Sequence, residues 1–196
     1  MNIAAGAEVE LNGAHTYFTT ETSTRFEGAG TLSKTGAGTV QWAQGDATFA
    51  MDSGSLIDVR EGTLLGGSYG DEVWTDNKSD LNVETGATFN GFEANIRVDA
   101  LTGGGSIVSG FDPLAGTSYQ NFTFGVDNGS GTFTGTLGNN GSNTGNYAKE
   151  GTGTQTLSGD NTYTGTTTVN AGTLVFGGDY KSSLVNIAAG AEVELN

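Results

Sequence analysis

The sequence predicts an all-β protein, a parallel β-solenoid of roughly eight to nine coils with little or no α-helix. Three observations predict it. Apolar residues come in short alternating runs, as in AEVELN at 191–196, where Val193 and Leu195 point one way and Glu192 and Glu194 the other; this is the pattern of a half-buried strand. Such runs are short and are separated by a few turn residues, chiefly Gly, Asn, Ser and Thr. They are too short for a large sandwich and suit a chain that turns a corner every few residues. The third observation is an exact repeat: NIAAGAEVELN at 2–12 recurs at 186–196, which sets a 184-residue period. A tandem period means that each unit packs mainly on its neighbours.

The elements follow in chain order. The 1–196 chain reads as a single solenoid segment, one 184-residue unit plus the 11-residue overlap. Met1 stands where the repeat places Val185, and is read as a start residue added to an excised piece. KTGAGTVQWAQGDATF from Lys34 matches KEGTGTQTLSGDNTYT from Lys149, and VREGTLLGG from Val59 matches VNAGTLVFGG from Val169. NVETGATF from Asn82 matches NIAAGAEV from Asn186, and LTGGGSI from Leu101 matches FEGAGTL from Phe26. The unit is therefore a diverged duplication, with halves at about 28–107 and at 149–196 continuing into 1–27. Residues 108–148 are extra coils or a side loop, and hold their own strand-turn units in FTFGVDNGSGTFTGTL at 122–137. Ala171-Gly172, between TTTVN and TLVF, reads as a tight bend, for which Gly supplies backbone angles that other residues avoid. At roughly 22 residues per coil the period holds about eight coils, and at ~4.8 Å per stacked strand it makes about 40 Å of rod.

Composition narrows the function. The net charge of −15, from 22 acidic and 7 basic residues, repels nucleic acid and anionic membranes and keeps neighbouring molecules apart. No Cys is present, which removes disulfide, zinc-thiolate and cysteine-nucleophile chemistry and fits a secreted bacterial chain. There is no apolar run long enough to span a bilayer and no basic-then-apolar start, so no membrane insertion of this segment is expected.

Within Gly151 to Leu174 the sequence resembles the autotransporter-associated β-strand repeat, a passenger repeat of bacterial autotransporters and related giant surface proteins. The residues that carry the resemblance are Lys149, Gly151, Gly153, Thr154, Ser158, Gly159, Asn161, Thr162, Tyr163, Gly165, Thr167, Thr168, Val169, Gly172, Thr173 and Leu174. The copy from Lys34 is eroded, with Trp42 in place of Leu157. The resemblance implies a right-handed parallel β-helix, exported and displayed outside the cell, and it implies no catalytic residues. Gly151, Gly153, Gly159, Asn161, Tyr163, Gly172 and Leu174 are then structural positions.

Parallel β-helices also host polysaccharide lyases and hydrolases, whose sites need clustered carboxylates with a basic partner. Here the basic residues Arg25, Lys34, Arg60, Lys78, Arg97, Lys149 and Lys181 are scattered singly. His15, the one histidine, has no Ser or Cys partner motif. The densest acidic spot is GSYGDEVWTD, where Trp74, with Tyr69 and Asp71, is a candidate contact for a surface glycan. Its alternative is a turn whose Trp packs on the shaft. Calcium at Asp127-Asn128, Asp160-Asn161 or Asp71 is the metal reading, but no calcium-roll or EF-hand signature is present, and no cofactor is expected. Thr-rich alternation invites an ice-binding reading, yet its spacing is irregular, and strand propensity explains it better. The functional expectation is a non-enzymatic structural module: a rigid acidic stalk that stacks end to end with copies of itself at the cell surface. The alternative is a carbohydrate-binding adhesin segment.

Overall fold

The computed structural model describes residues 1–13, 15–17, 24–42, 47–67, 72–111 and 121–196, with 15–17 in the backbone only. The chain is all-β among these residues, and every strand pairing is parallel. Strands close in space are far apart in sequence, as a coil wound on itself requires. The first face is a nine-stranded sheet, beginning at Glu8–Asn12 and Thr31–Thr35 and ending at Thr173–Phe176 and Glu192–Leu195. The second face has six strands, from His15–Tyr17 to Thr136–Asn139. The third face starts as the pair Thr24–Gly28 and Ala47–Met51 and resumes as a five-stranded sheet from Ile96–Arg97 to Leu184–Ile187.

The structure amounts to about seven turns, slightly fewer than the eight to nine expected. The first face carries nine rungs, the second six, and the third seven. Fewer complete turns result because some coils cross the second or third face through a bend or an isolated bridge instead of a strand, and coil length varies as well. On the first face successive rungs are closest in sequence from Thr154 to Thr173 and from Thr173 to Glu192, and farthest apart from Gly103 to Phe133. The long step runs through the 108–148 stretch. Its described strands, Asn121–Phe124, Gly131–Phe133, Thr136–Asn139 and Asn146–Lys149, are rungs distributed over all three faces. The short steps come where the second face shrinks to a bend at Asn161, bridged to Tyr180.

The register stacks like on like. Val9, Leu32, Ile57, Leu81 and Leu101 follow one another as direct partners on the first face, and the last four are fully buried. Because side chains alternate with period two, this register sends the apolar set inward and the Glu, Ser and Asn set outward. Along the interior runs a column of rings: Phe26, Phe49, Trp74, Phe89, Phe122, Tyr147 and Tyr163, with successive centroids 4.0 to 6.0 Å apart. Each ring joins one coil to the next through apolar burial and offset or edge-on contact.

Two buried amides repair breaks in the ladder. Asn77 sits where the third face is interrupted: its Oδ1 accepts from the Met51 N–H at 3.2 Å and its Nδ2 donates to the Arg97 carbonyl at 2.9 Å. Gln155 does the same on the first face. It accepts from the Leu101 N–H and donates to the Leu101 carbonyl, both at 3.0 Å, in the long step where the intervening rung pairs only through Gly103 and Phe133. Buried backbone groups without partners are costly, so these side chains let the coil length vary without opening the shaft.

Candidate functional site

The corners carry the repeat motif. Lys34 lies in a first-face strand and its corner leads to Thr39–Trp42 on the second face, whereas Lys149 ends a third-face strand and its corner leads to Thr154–Leu157 on the first. The paired sequence motifs therefore build the same bend at different corners of the coil. Both lysines are fully buried. Lys34 Nζ donates to the carbonyls of Thr35 (2.7 Å), Gly36 (2.5 Å) and Glu61 (3.0 Å). Lys149 Nζ donates to those of Glu150 (2.5 Å), Gly151 (2.9 Å) and Ala171 (3.4 Å). An ammonium has three donors and no acceptor, so each is used up by three carbonyls, two from its own corner and one from the corner stacked on it. Burial lowers both lysine pKa values, opposed by Glu61 at Lys34 and by Asp99 at Lys149. The sequence marks both lysines as motif positions but not as buried ones; their shared Lys-x-Gly-x-Gly spacing is the available signal.

The remaining motif residues occupy the Lys149 corner and the corner stacked on it, the separate bend at 158–165, and the strand Thr173–Phe176. Gly172 has φ +64°, and a Cβ there would lie 2.4 Å from the Gly153 carbonyl oxygen. Gly151 likewise has φ +64°, facing the Gly125 carbonyl. Gly153 and Gly159 leave no room for a Cβ beneath the carbonyls of Gly129 and Gly135. Asn161 is buried and donates from Nδ2 to the Gly159 carbonyl at 2.9 Å. The Tyr163 hydroxyl lies 2.5 Å from Thr167 Oγ1, and Leu174 is fully buried. Burial pushes the Tyr163 hydroxyl up to about 12 and the Tyr147 hydroxyl well above its ordinary value.

Trp74 is 1 % exposed. Its ring stacks on Phe49 at 4.0 Å, meets Phe89 edge-on, and donates from Nε1 to the Gly66 carbonyl at 2.8 Å. It packs on the shaft and presents no open face to a sugar. Tyr69 and Asp71 lie outside the described residues, as does the side chain of His15. A shallow cleft of about 160 Å³ is lined by Thr75, Asp76, Asn77, Lys78, Arg97 and Val126. The two cations there are engaged: Lys78 with Asp127 at 3.4 Å and Arg97 with Glu150 at 2.7 Å. Among the described residues no group of three His, Cys, Asp or Glu side chains is placed to hold a metal ion.

Among the described residues, four of the six exposed large apolar side chains lie in the last coil: Leu184, Ile187 and Leu195 are each more than half exposed, and Tyr180 is 40 % exposed and stacks on Phe176, whereas Met1 and Val73 lie elsewhere. The sheets end here, at Glu192–Leu195 on the first face and Leu184–Ile187 on the third.

Residues 148–176 match the family model of the passenger-associated-transport-repeat. The match begins beside Lys149 and closes at the end of Thr173–Phe176, so it takes in both stacked corners of the second motif. No curated protein and no solved structure matches the chain. The matched segment and the solenoid together fit an autotransporter passenger repeat, and that family implies a surface or secreted protein.

Proposed function

We propose that the chain is a structural repeat module of a surface-displayed or secreted bacterial protein, a stiff acidic spacer that extends by continuation of its own coil and performs no catalysis. One observation carries this reading. The repeated residues Glu8 and Glu192, one sequence period apart, stand on the first and last rungs of one sheet. The period is thus a whole number of steps, eight, between nine rungs. A following copy continues the coil with each face in line. A period that ended part-way round would rotate every copy and break the ladder at each junction. The passenger-repeat match and the absorption of the motif residues into corners support the structural role. Of the three glycan candidates only Trp74 is described, and its ring is enclosed.

The test is a chain of two units joined at the natural period, measured by small-angle scattering. The spacer reading expects the longest dimension to exceed that of the single unit by about 40 Å, from eight rungs of ~4.8 Å, with an unchanged cross-section. A two-unit particle that folds back on itself, widening rather than lengthening, rejects it.

A further inference from the structure

Lys34 and Lys149 sit at different corners of the coil, yet the oxygens around them come from the same places in the chain. In each case the ammonium donates to the carbonyls of the next two residues, Thr35 and Gly36 or Glu150 and Gly151. The third carbonyl belongs to the residue before the bend glycine of the stacked corner: Glu61 before Gly62, and Ala171 before Gly172. All four glycines hold positive φ, +73° at Gly36 and +64° at Gly62, Gly151 and Gly172. A Cβ on Gly62 would stand 2.5 Å from the Gly36 oxygen, and one on Gly172 would stand 2.6 Å from the Gly151 oxygen. Backbone angles and the close stacking of one corner on the next therefore hold these carbonyls in place. Glu61 and Asp99 act on the two ammonium groups through charge, while the hydrogen bonds of both go to main-chain oxygens.

Carbonyl oxygens that converge on one buried point can hold a dehydrated monovalent cation, because their dipoles replace its water. A primary ammonium suits three oxygens, since it has three N–H donors and aims one at each. Left empty, the same point would gather buried acceptors with their negative ends together, which is costly away from water. We propose that each lysine corner is a cation site made by the backbone, selective for a primary ammonium, and that the lysine side chain is its resident ligand. The site ties one coil to the next, because its oxygens come from two stacked corners. A Cβ on Gly125 would stand only 3.1 Å from Lys149 Nζ, so the pocket admits the ammonium head and little more. A quaternary ammonium has no N–H, and its methyl groups keep it from the three oxygens. The site belongs to the single unit and does not depend on the spacer reading.

The experiment uses the full chain with Lys149→Ala, which removes the side chain from Cγ to Nζ and leaves the carbonyls facing the space. The added ligand is n-propylammonium, which has the same carbons and nitrogen as the part removed. The variant is expected to melt well below the parent chain, and n-propylammonium chloride is expected to restore at least half of the lost Tm. The parent in the same salt is expected to shift by less than a quarter of that amount. Tetramethylammonium chloride at equal concentration supplies the same ionic strength and is expected to restore none. Lys149→Met keeps a side chain of similar length without the charge. It is expected to melt below the parent and to gain nothing from the amine, which separates the cation site from packing of the lysine stem. Lys34→Ala repeats the measurement at the other corner. A variant that folds only with the amine present counts for the proposal. Equal gains from the two salts, a Lys149→Met chain as stable as the parent, or failure of the amine to restore either alanine variant overturns it.

Discussion

Gly172 shows what the fold asks of a single residue. Its φ of +64° suits glycine, and a Cβ would strike the Gly153 carbonyl oxygen at 2.4 Å. Gly172→Val is therefore expected to cost about 3 kcal/mol, read as a fall in Tm of roughly 6–12 °C for a chain of this size. Thr167→Val is expected to cost less, about 1–2 kcal/mol, from lost hydroxyl bonds to Tyr163 and Ser182. The bend is legible in the sequence because Gly between two alternating runs has few other uses. The buried Thr167 is not, since its partners come from a bend just upstream and from the next coil. The same holds for Lys149, whose carbonyl partners include Ala171 of the corner above.

Titration gives a second residue-scale prediction. Tyr163, raised from about 10 to about 12, and Tyr147, raised well above its ordinary value by burial, hold protons that the unfolded chain releases above pH 10. Their contribution is complete below pH 10 and is lost as pH climbs through 12. Lys34 and Lys149 act oppositely. Their lowered values mean that stability grows between those values and the ordinary lysine pKa of 10.5. The expected result is unfolding between pH 10 and 12, concurrent with tyrosinate absorbance and shifted to higher pH in Tyr163→Phe. Loss of structure well below pH 10 contradicts it.

At the scale of the element, strands are easy to read and their stacking is not. AEVELN and its kin announce half-buried strands by alternation alone. Which strand lies on which depends on coil length, and that varies along the shaft because Asn77 and Gln155 mend the ladder where a rung falls short. A single amide in a polar run carries no mark of such a role. Gln155→Ala is expected to strand the N–H and carbonyl of Leu101 and to cost about 2–3 kcal/mol. A Tm indistinguishable from that of the parent chain speaks against the repair role. The paired motifs at Lys34 and Lys149 are legible as repeats, but their placement at different corners is not, because a bend records its own angles and not its position round the coil. Trp74 belongs to this scale too. Bridging Phe49 and Phe89, it joins successive coils, and Trp74→Ala is expected to cost about 3–5 kcal/mol. Unchanged Tm in that variant removes the ring column as a source of stability.

At the scale of the whole molecule, the 184-residue offset and the nine-rung sheet describe one fact from two sides. The sequence reveals the period, and the structure reveals that the period closes on the same face. A net charge of −15 on each chain makes neighbouring chains repel one another in solution, and four of the six exposed large apolar side chains among the described residues, Tyr180, Leu184, Ile187 and Leu195, lie in the last coil. The measurement that tests this most directly is a spin-label distance between equivalent positions in a two-unit chain, using Glu84→Cys on an exposed bend of each unit. Eight rungs of ~4.8 Å give a single narrow distance near about 38 Å. A broad distribution, or a distance above about 50 Å, contradicts a coil that continues in phase from one unit to the next.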